Sequence, residues 1–284
     1  MRGSFPIFES MEVEKGSLLL IESALLESQH LQRQVTVEFY LPLNVPDPEQ
    51  MSLLLINDGQ DMVKFGFAAI LEELYEQQAI RPILCAAIHA GEERKMEYGT
   101  AGIPDYKGRG AKAGLYTNFI FEELLPYIRT TYKVESFHEK VFAGFSLGGL
   151  SALDIVWKHP HEFSCAGVFS ASLWWRTRDQ DDEDYSDDND RIMHQQIRHG
   201  DLYPWLRFFI QCGAHDEEKD RNNNGVIDSI DDAMDLIKEL KAKGYPDENI
   251  CYVLLEDGKH DVESWGKAMP LFLRWQFGST DFQV

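Results

Sequence analysis

Positive charge is what this chain has least of: 27 Lys and Arg stand against 48 Asp and Glu, a formal net charge of −21 at pH 7. Such a chain repels phosphate backbones and anionic membranes at long range, so neither nucleic acid nor a membrane is the expected partner. Long apolar runs are also missing; nothing approaches the roughly 20 residues that span a bilayer. The opening residues, MRGSFPIFES, lack the apolar stretch of a secretory signal. Cysteine is sparse. Cys85, Cys165, Cys212 and Cys251 are far apart, with no CxxC pair to suggest a metal site or a redox motif. Buried free thiols in a reducing compartment explain them, and the cytoplasm is the expected location. No Pro- or Gly-rich linker and no internal repeat divides the 284 residues, so one domain over 1–284 is expected, enough chain for a full core.

What is present alternates. Strand patterns fall at 17–26, 34–41, 52–56, 83–89, 141–145, 165–170, 207–212 and 251–255. Helical patterns fall at 63–77, 116–131, 148–158, 232–243 and 262–277. The first two strands follow each other directly, as an antiparallel entry would. The later β-then-α alternation predicts an α/β fold with a mostly parallel sheet and helices on both faces. Sites in such sheets form at the carboxyl ends of strands. Here those ends read Asn57-Asp58-Gly59-Gln60, Gly144-Phe145-Ser146 and Gly213-Ala214-His215-Asp216. That is too much polar chemistry for a plain scaffold.

Gly144-Phe145-Ser146-Leu147-Gly148 is a G-x-S-x-G sequence set between an apolar strand (VFAGF) and a helix. The strand-to-helix context separates a nucleophile elbow from a chance match. The helix N-terminus would aim free N–H groups at a developing oxyanion. A serine hydroxyl needs a base, and the order for this arrangement is Ser, acid, His. His260 follows the apolar stretch CYVLLE through an expected Asp-Gly-Lys turn and is the candidate base. Asp216, just past RFFIQCG, is the candidate acid, with Glu218 and Asp220 close enough in sequence to compete. The N–H groups of Leu147 and of Gln60, or its neighbour Gly59, are the candidate oxyanion hole.

LLLINDGQ, GFSLGGLSAL, FSASLWW, QCGAHD and GKHDVESW together resemble the enterochelin-esterase-like branch of the esterase D family of α/β-hydrolases. Members include ferric-enterobactin, feruloyl and acetyl-xylan esterases and S-formylglutathione hydrolases. The resemblance runs from about Val35 to the C-terminus. It implies an α/β-hydrolase fold and a serine esterase working through an acyl-enzyme, with a siderophore, feruloyl or acetyl ester as substrate. It assigns the triad to Ser146, Asp216 and His260 and the oxyanion hole to Leu147 and Gln60, although some siderophore esterases of the group use a Ser–His dyad. The extra N-terminal sandwich domain that siderophore esterases often carry has no room here. An acyltransferase of the same fold is the alternative within enzymes, and a non-catalytic binding module the alternative outside them. No cofactor is expected for catalysis, and the expected partner is a small-molecule ester.

Segment 92–112 reads as a long loop with five cations, among them Arg94 and Arg109; with Tyr98, Trp174 and Trp175 these are the candidate substrate contacts. Ordinary salt bridges, such as Arg94 to Glu97 or Asp105, account for the cations equally well. The acidic run Asp179–Asp190 reads as a solvated loop. Segment 220–231 fits a calcium-loop pattern, with Asp220, Asn222, Asn224, Val226, Asp228 and Asp231 as ligands of a structural Ca2+. An Asx-rich turn before the next helix fits the same residues.

Overall fold

The computed structural model describes residues 9–10, 17–43, 45 and 47–279. Among the described residues nine strands form one sheet: β1 (Glu9–Ser10), β2 (Leu19–Ser28), β3 (Arg33–Pro42), β4 (Ser52–Asn57), β5 (Ile83–Ile88), β6 (Lys140–Phe145), β7 (Cys165–Phe169), β8 (Arg207–His215) and β9 (Ile250–Lys259). Their spatial order is β1-β2-β3-β5-β4-β6-β7-β8-β9. The first three strands and the β3–β5 pair are antiparallel; from β5 through β9 all pairs are parallel. This is the mostly parallel α/β arrangement expected from the sequence pattern, and the α/β-hydrolase fold that the resemblance implied.

The central strands are apolar on both faces because helices cover both. In β4, β5 and β7 every residue is buried. On one face α1 (Phe67–Glu76) and α9 (Val262–Phe277) bury Phe67, Leu71, Met269 and Phe272. On the other lie α3 (Ala113–Asn118), α4 (Leu125–Tyr132), α5 (Leu147–Lys158), α7 (Ile192–His199) and α8 (Asp228–Lys243), with Phe119, Leu153, Ile197 and Leu236 in the core. Two shorter helices, α2 (Arg94–Glu97) and α6 (Asp187–Asp190), interrupt the segments read as loops.

Three boundaries differ from the sequence reading. The helix expected from 63 begins at Phe67, because Gly59–Asp61 takes a 3-10 turn and Gly66 has φ +70°. β9 runs through Lys259 instead of ending in an Asp-Gly-Lys turn; Lys259 pairs with His215 of an equally extended β8 across a register shift. The last helix before β9 starts at Asp228, so the final third of the calcium-like loop is helical. The four cysteines are buried and unpaired.

The chain visits β4, crosses to β5 on one side, and then returns to place β6 on the other. That reversal is a topological switch point, where the loops leaving adjacent strands diverge and open a crevice. The loops at Asp58 and Ser146 flank it.

Candidate active site

Ser146 sits between β6 and α5 with φ 53° and ψ −122°. A positive φ costs a non-glycine residue on the order of 1–3 kcal/mol, so the surroundings must hold it. They do so through the backbone: Ser146 N–H donates to Phe169 O at 2.9 Å, and Ser172 N–H donates to Ser146 O at 3.1 Å. The turn is so tight that a Cβ at Gly144 would lie 2.3 Å from Gly148 O, and one at Gly148 would lie 2.6 Å from Asp58 Oδ2. Only glycine fits at either position. The elbow sequence is therefore a steric requirement of the geometry.

The N–H of Leu147 opens α5 and meets no acceptor among the described residues, and neither does the N–H of Gln60. The Gln60 side chain is already engaged: its Oε1 accepts from Ala90 N–H at 3.0 Å and its Nε2 donates to Asp58 Oδ1 at 3.2 Å. Its backbone N–H is left free to serve an oxyanion.

His260 lies between β9 and α9. Asp261 caps α9, its side chain accepting from Ser264 N–H at 2.9 Å, while the Ser264 hydroxyl accepts from Lys259 N–H at 2.8 Å. Trp265, one turn into the helix, meets the His260 ring edge-on at 5.4 Å and stacks on Phe145 at 5.0 Å. One indole thus ties the histidine to the residue preceding the serine. The imidazole faces solvent on one side. The protein around it still removes enough water to lower its pKa; Asp216 and Asp261 oppose that shift and the Arg94 cation adds to it.

Asp216 follows β8. One carboxylate oxygen accepts from Gly213 N–H at 3.0 Å; the other, Oδ1, is buried with no partner among the described residues. No hydrogen bond joins Ser146 Oγ to His260 or His260 to Asp216, so the two acid–base groups meet here through charge alone. Such contacts commonly tighten only when substrate is bound.

Sequence reasoning missed the feature beneath the elbow. Asp58, 3% exposed and at φ 61°, accepts from Arg94 Nε at 2.6 Å and Nη2 at 2.8 Å. Arg94 also lies 5.1 Å from the Tyr98 ring centre. The only signal was an acidic residue at a strand end.

The expected basic wall is mostly neutralised. Arg94 pairs with Asp58, Glu97 with Arg33, Arg109 with Asp105 and Lys112 with Glu93. Tyr98 and Trp175 are fully buried and offer no face to a ligand, correcting their reading as substrate contacts. Trp175 instead packs where side chains at Gly99 and Gly110 would stand. Trp174 is partly exposed, with the Arg109 guanidinium 5.0 Å from its ring centre. The acidic run is only partly solvated: Asp190 is buried and Asp187 accepts from Arg221 Nε at 2.8 Å.

In segment 220–231, the Asp220 carboxylate accepts from the N–H groups of Asn224 and Gly225, and Gly225 has φ 86°. Asp231 Oδ2 receives the side-chain amides of Asn222 and Asn224 at 2.8 Å each. Asp228 departs from the expected inward role, turning to Arg221 N–H at 2.7 Å. Among the described residues no group of three or more His, Cys, Asp or Glu is arranged to hold a metal ion. No described helix is long and apolar enough to cross a membrane.

Residues 28–275 match the family model described as "Putative esterase". The chain belongs to this esterase family. With it, the chain is a carboxylic ester hydrolase, a chemistry that needs no catalytic cofactor. Among curated proteins it is similar to the uncharacterized protein YjcH of Bacillus subtilis (strain 168), 21% identical over 84% of this chain and 89% of that protein. Among solved structures, a ferulic acid esterase superposes with a TM-score of 0.67 at 19% identity, covering 91% of this chain and 97% of the other. The enterobactin esterase FES of Shigella flexneri superposes at 0.69 with 21% identity, over 92% of this chain but 60% of that one. At such identities the likeness is one of fold: the esterase resembles the enterochelin esterases in architecture.

Proposed function

We propose that the chain works as a single-domain serine esterase through an acyl-enzyme, with Ser146 as nucleophile, His260 as general base and Asp216 as the acid that orients it. The observation that carries this reading is the strained Ser146 turn, held by Gly144 and Gly148 at the sheet's switch point. Ser146 Oγ attacks the ester carbonyl carbon as its proton passes to His260. The N–H groups of Leu147 and Gln60 receive the oxyanion. Collapse breaks the bond to the alcohol, which leaves with the proton from His260. Water, deprotonated by the same imidazole, then releases the acid and restores the serine. Arg94, held by Asp58, and Trp174 border the substrate, and siderophore, feruloyl and acetyl esters are the classes to screen. The experiment is direct: mass spectrometry should show a stable adduct on the Ser146 peptide after treatment with a phosphonate ester, and labelling elsewhere would overturn the assignment.

The base must be neutral to work. Because the His260 pKa is lowered from 6.5, the neutral form persists to lower pH than in a free histidine. The expected kcat/KM profile for p-nitrophenyl acetate therefore falls only below about pH 6.5 and is flat above it until base hydrolysis interferes. An acid limb centred above pH 7 would contradict the role given to His260.

Segment 220–231 is proposed to hold a structural Ca2+ through Asp220, Asn222, Asn224, Asp231 and the Val226 carbonyl, with Asp228 as the remaining candidate ligand. The support is the turn at Gly225 and the approach of Asn222 and Asn224 to Asp231, which brings the side chains of loop positions three, five and twelve together. Calcium at about 100 times its Kd should raise the melting temperature by on the order of 5 °C, and chelator should reverse the rise. Activity should change little, since the ion lies outside the chemistry. An unchanged melting temperature in millimolar calcium leaves only the Asx turn.

A further inference from the structure

A cavity of about 220 Å3 opens among the loops that follow β7 and β8, walled by Tyr106, Lys107, Trp174, Arg176, Glu217 and Lys219 among others. Two of its wall residues neighbour the proposed site along the chain. Trp174 is two residues beyond Ser172, whose N–H holds Ser146, and Glu217 directly follows Asp216. In a chain of net charge −21, this cavity gathers five cations, of which Arg109 is held by Asp105 and Arg221 by Asp187, Asp228 and Asp232. Lys107 and Lys219 form no ion pair among the described residues.

Arg176 is the most constrained of them. Its guanidinium lies 5.3 Å from the ring centre of Tyr106 and 5.7 Å from those of Trp174 and Tyr185. The aromatic rings fix its orientation and exclude water. Yet its N–H edge is poorly matched: Nε is buried with no acceptor, and the nearest carboxylate, Asp179, is 3.9 Å away. An oriented guanidinium whose Nε lacks an acceptor suits a planar anion that accepts two parallel hydrogen bonds. Of the wall's two carboxylates, Asp228 is engaged by Arg221, and Glu217 forms no ion pair with Arg176.

We infer that this cavity is a subsite for a carboxylate carried by the ester substrate, with Arg176 as the specificity-determining residue and Trp174 as the platform for the attached ring or chain. The inference rests on the esterase reading above and adds to it the charge of the substrate. The cavity has the room of about seven water molecules at ~30 Å3 each, which fits a substituted ring and not a polymer segment. The carboxylate sits either on the alcohol side of the ester or on the acyl side.

The test uses two matched pairs of esters. In 4-acetoxybenzoate against its methyl ester, the charge is on the leaving ring. In mono-p-nitrophenyl glutarate against p-nitrophenyl valerate, it is on the acyl chain. Wild type should prefer the charged member of one pair, and that pair identifies the side. In Arg176→Gln the charged-to-neutral ratio of kcat/KM should fall about ten- to hundred-fold, the loss expected for a charge-assisted fork. Should that variant not fold, Lys219→Gln at the mouth should lower the same ratio several-fold. Calorimetry on wild type should show benzoate binding at least ten-fold more tightly than benzamide, independently of turnover. Equal binding of the two, or an unchanged ratio in a folded variant, overturns the subsite. Turnover of none of the four esters would instead count against the esterase reading, whatever benzoate does.

Discussion

Ser146→Ala is expected to lose at least about four orders of magnitude in kcat toward short p-nitrophenyl esters, and His260→Ala to lose nearly as much. The two losses should not add in the double variant, because nucleophile and base act in one step. The alanine at 146 would keep the positive φ and relieve no contact, so folding should be intact; melting temperature and circular dichroism check this. Residual turnover near the wild-type rate in folded Ser146→Ala would remove the serine from the mechanism. The Trp265 stack adds a way to tell position from chemistry. Trp265 touches both Phe145 and His260 but no reacting atom, so Trp265→Phe should lower the rate far less than either substitution.

The second large effect concerns Asp216. Asp216→Asn preserves shape and the bond from Gly213 N–H but removes the charge facing His260. If Asp216 orients the imidazole and stabilises its cation, acylation should slow by between about 10^2 and 10^4. The pH profile should move as well: Asp216 raises the His260 pKa, so its neutralisation should shift the acid limb to lower pH. Asp220→Asn, in the neighbouring loop, should do neither. Stopped-flow bursts with p-nitrophenyl acetate separate acylation from turnover. Equal and small effects at 216 and 220, with an unmoved acid limb, would leave His260 without an acid and make the pair a dyad.

The central strands were legible because burial on both faces leaves continuous apolar runs such as LLLI at Leu53–Ile56; their order in the sheet was not. The elbow was legible for a steric reason: Gly144 and Gly148 admit no side chain, so the constraint is written as residue type. His260 was legible from order along the chain. Its support was not. β9 continues through Lys259 because the facing β8 does, and pairing between strands over 40 residues apart leaves no local pattern. The same blindness explains the misread tyrosine and tryptophan. Tyr98 and Trp175 occur in loops, where rings are read as ligand-facing, but the glycines at 99 and 110 let the backbone fold over Trp175 and close it off.

By itself, then, the sequence determined the alternation of strands and helices, the nucleophile's turn and the candidate base, because each depends on residues adjacent in the chain or on volume that cannot be filled. Tertiary structure decided the partners of charge. Arg94 meets Asp58 rather than Glu97 or Asp105, Asp228 turns to Arg221, and Arg176 is left among rings with an unmatched edge. A long side chain can reach any of several carboxylates, and which one it meets depends on where the sheet sets each loop.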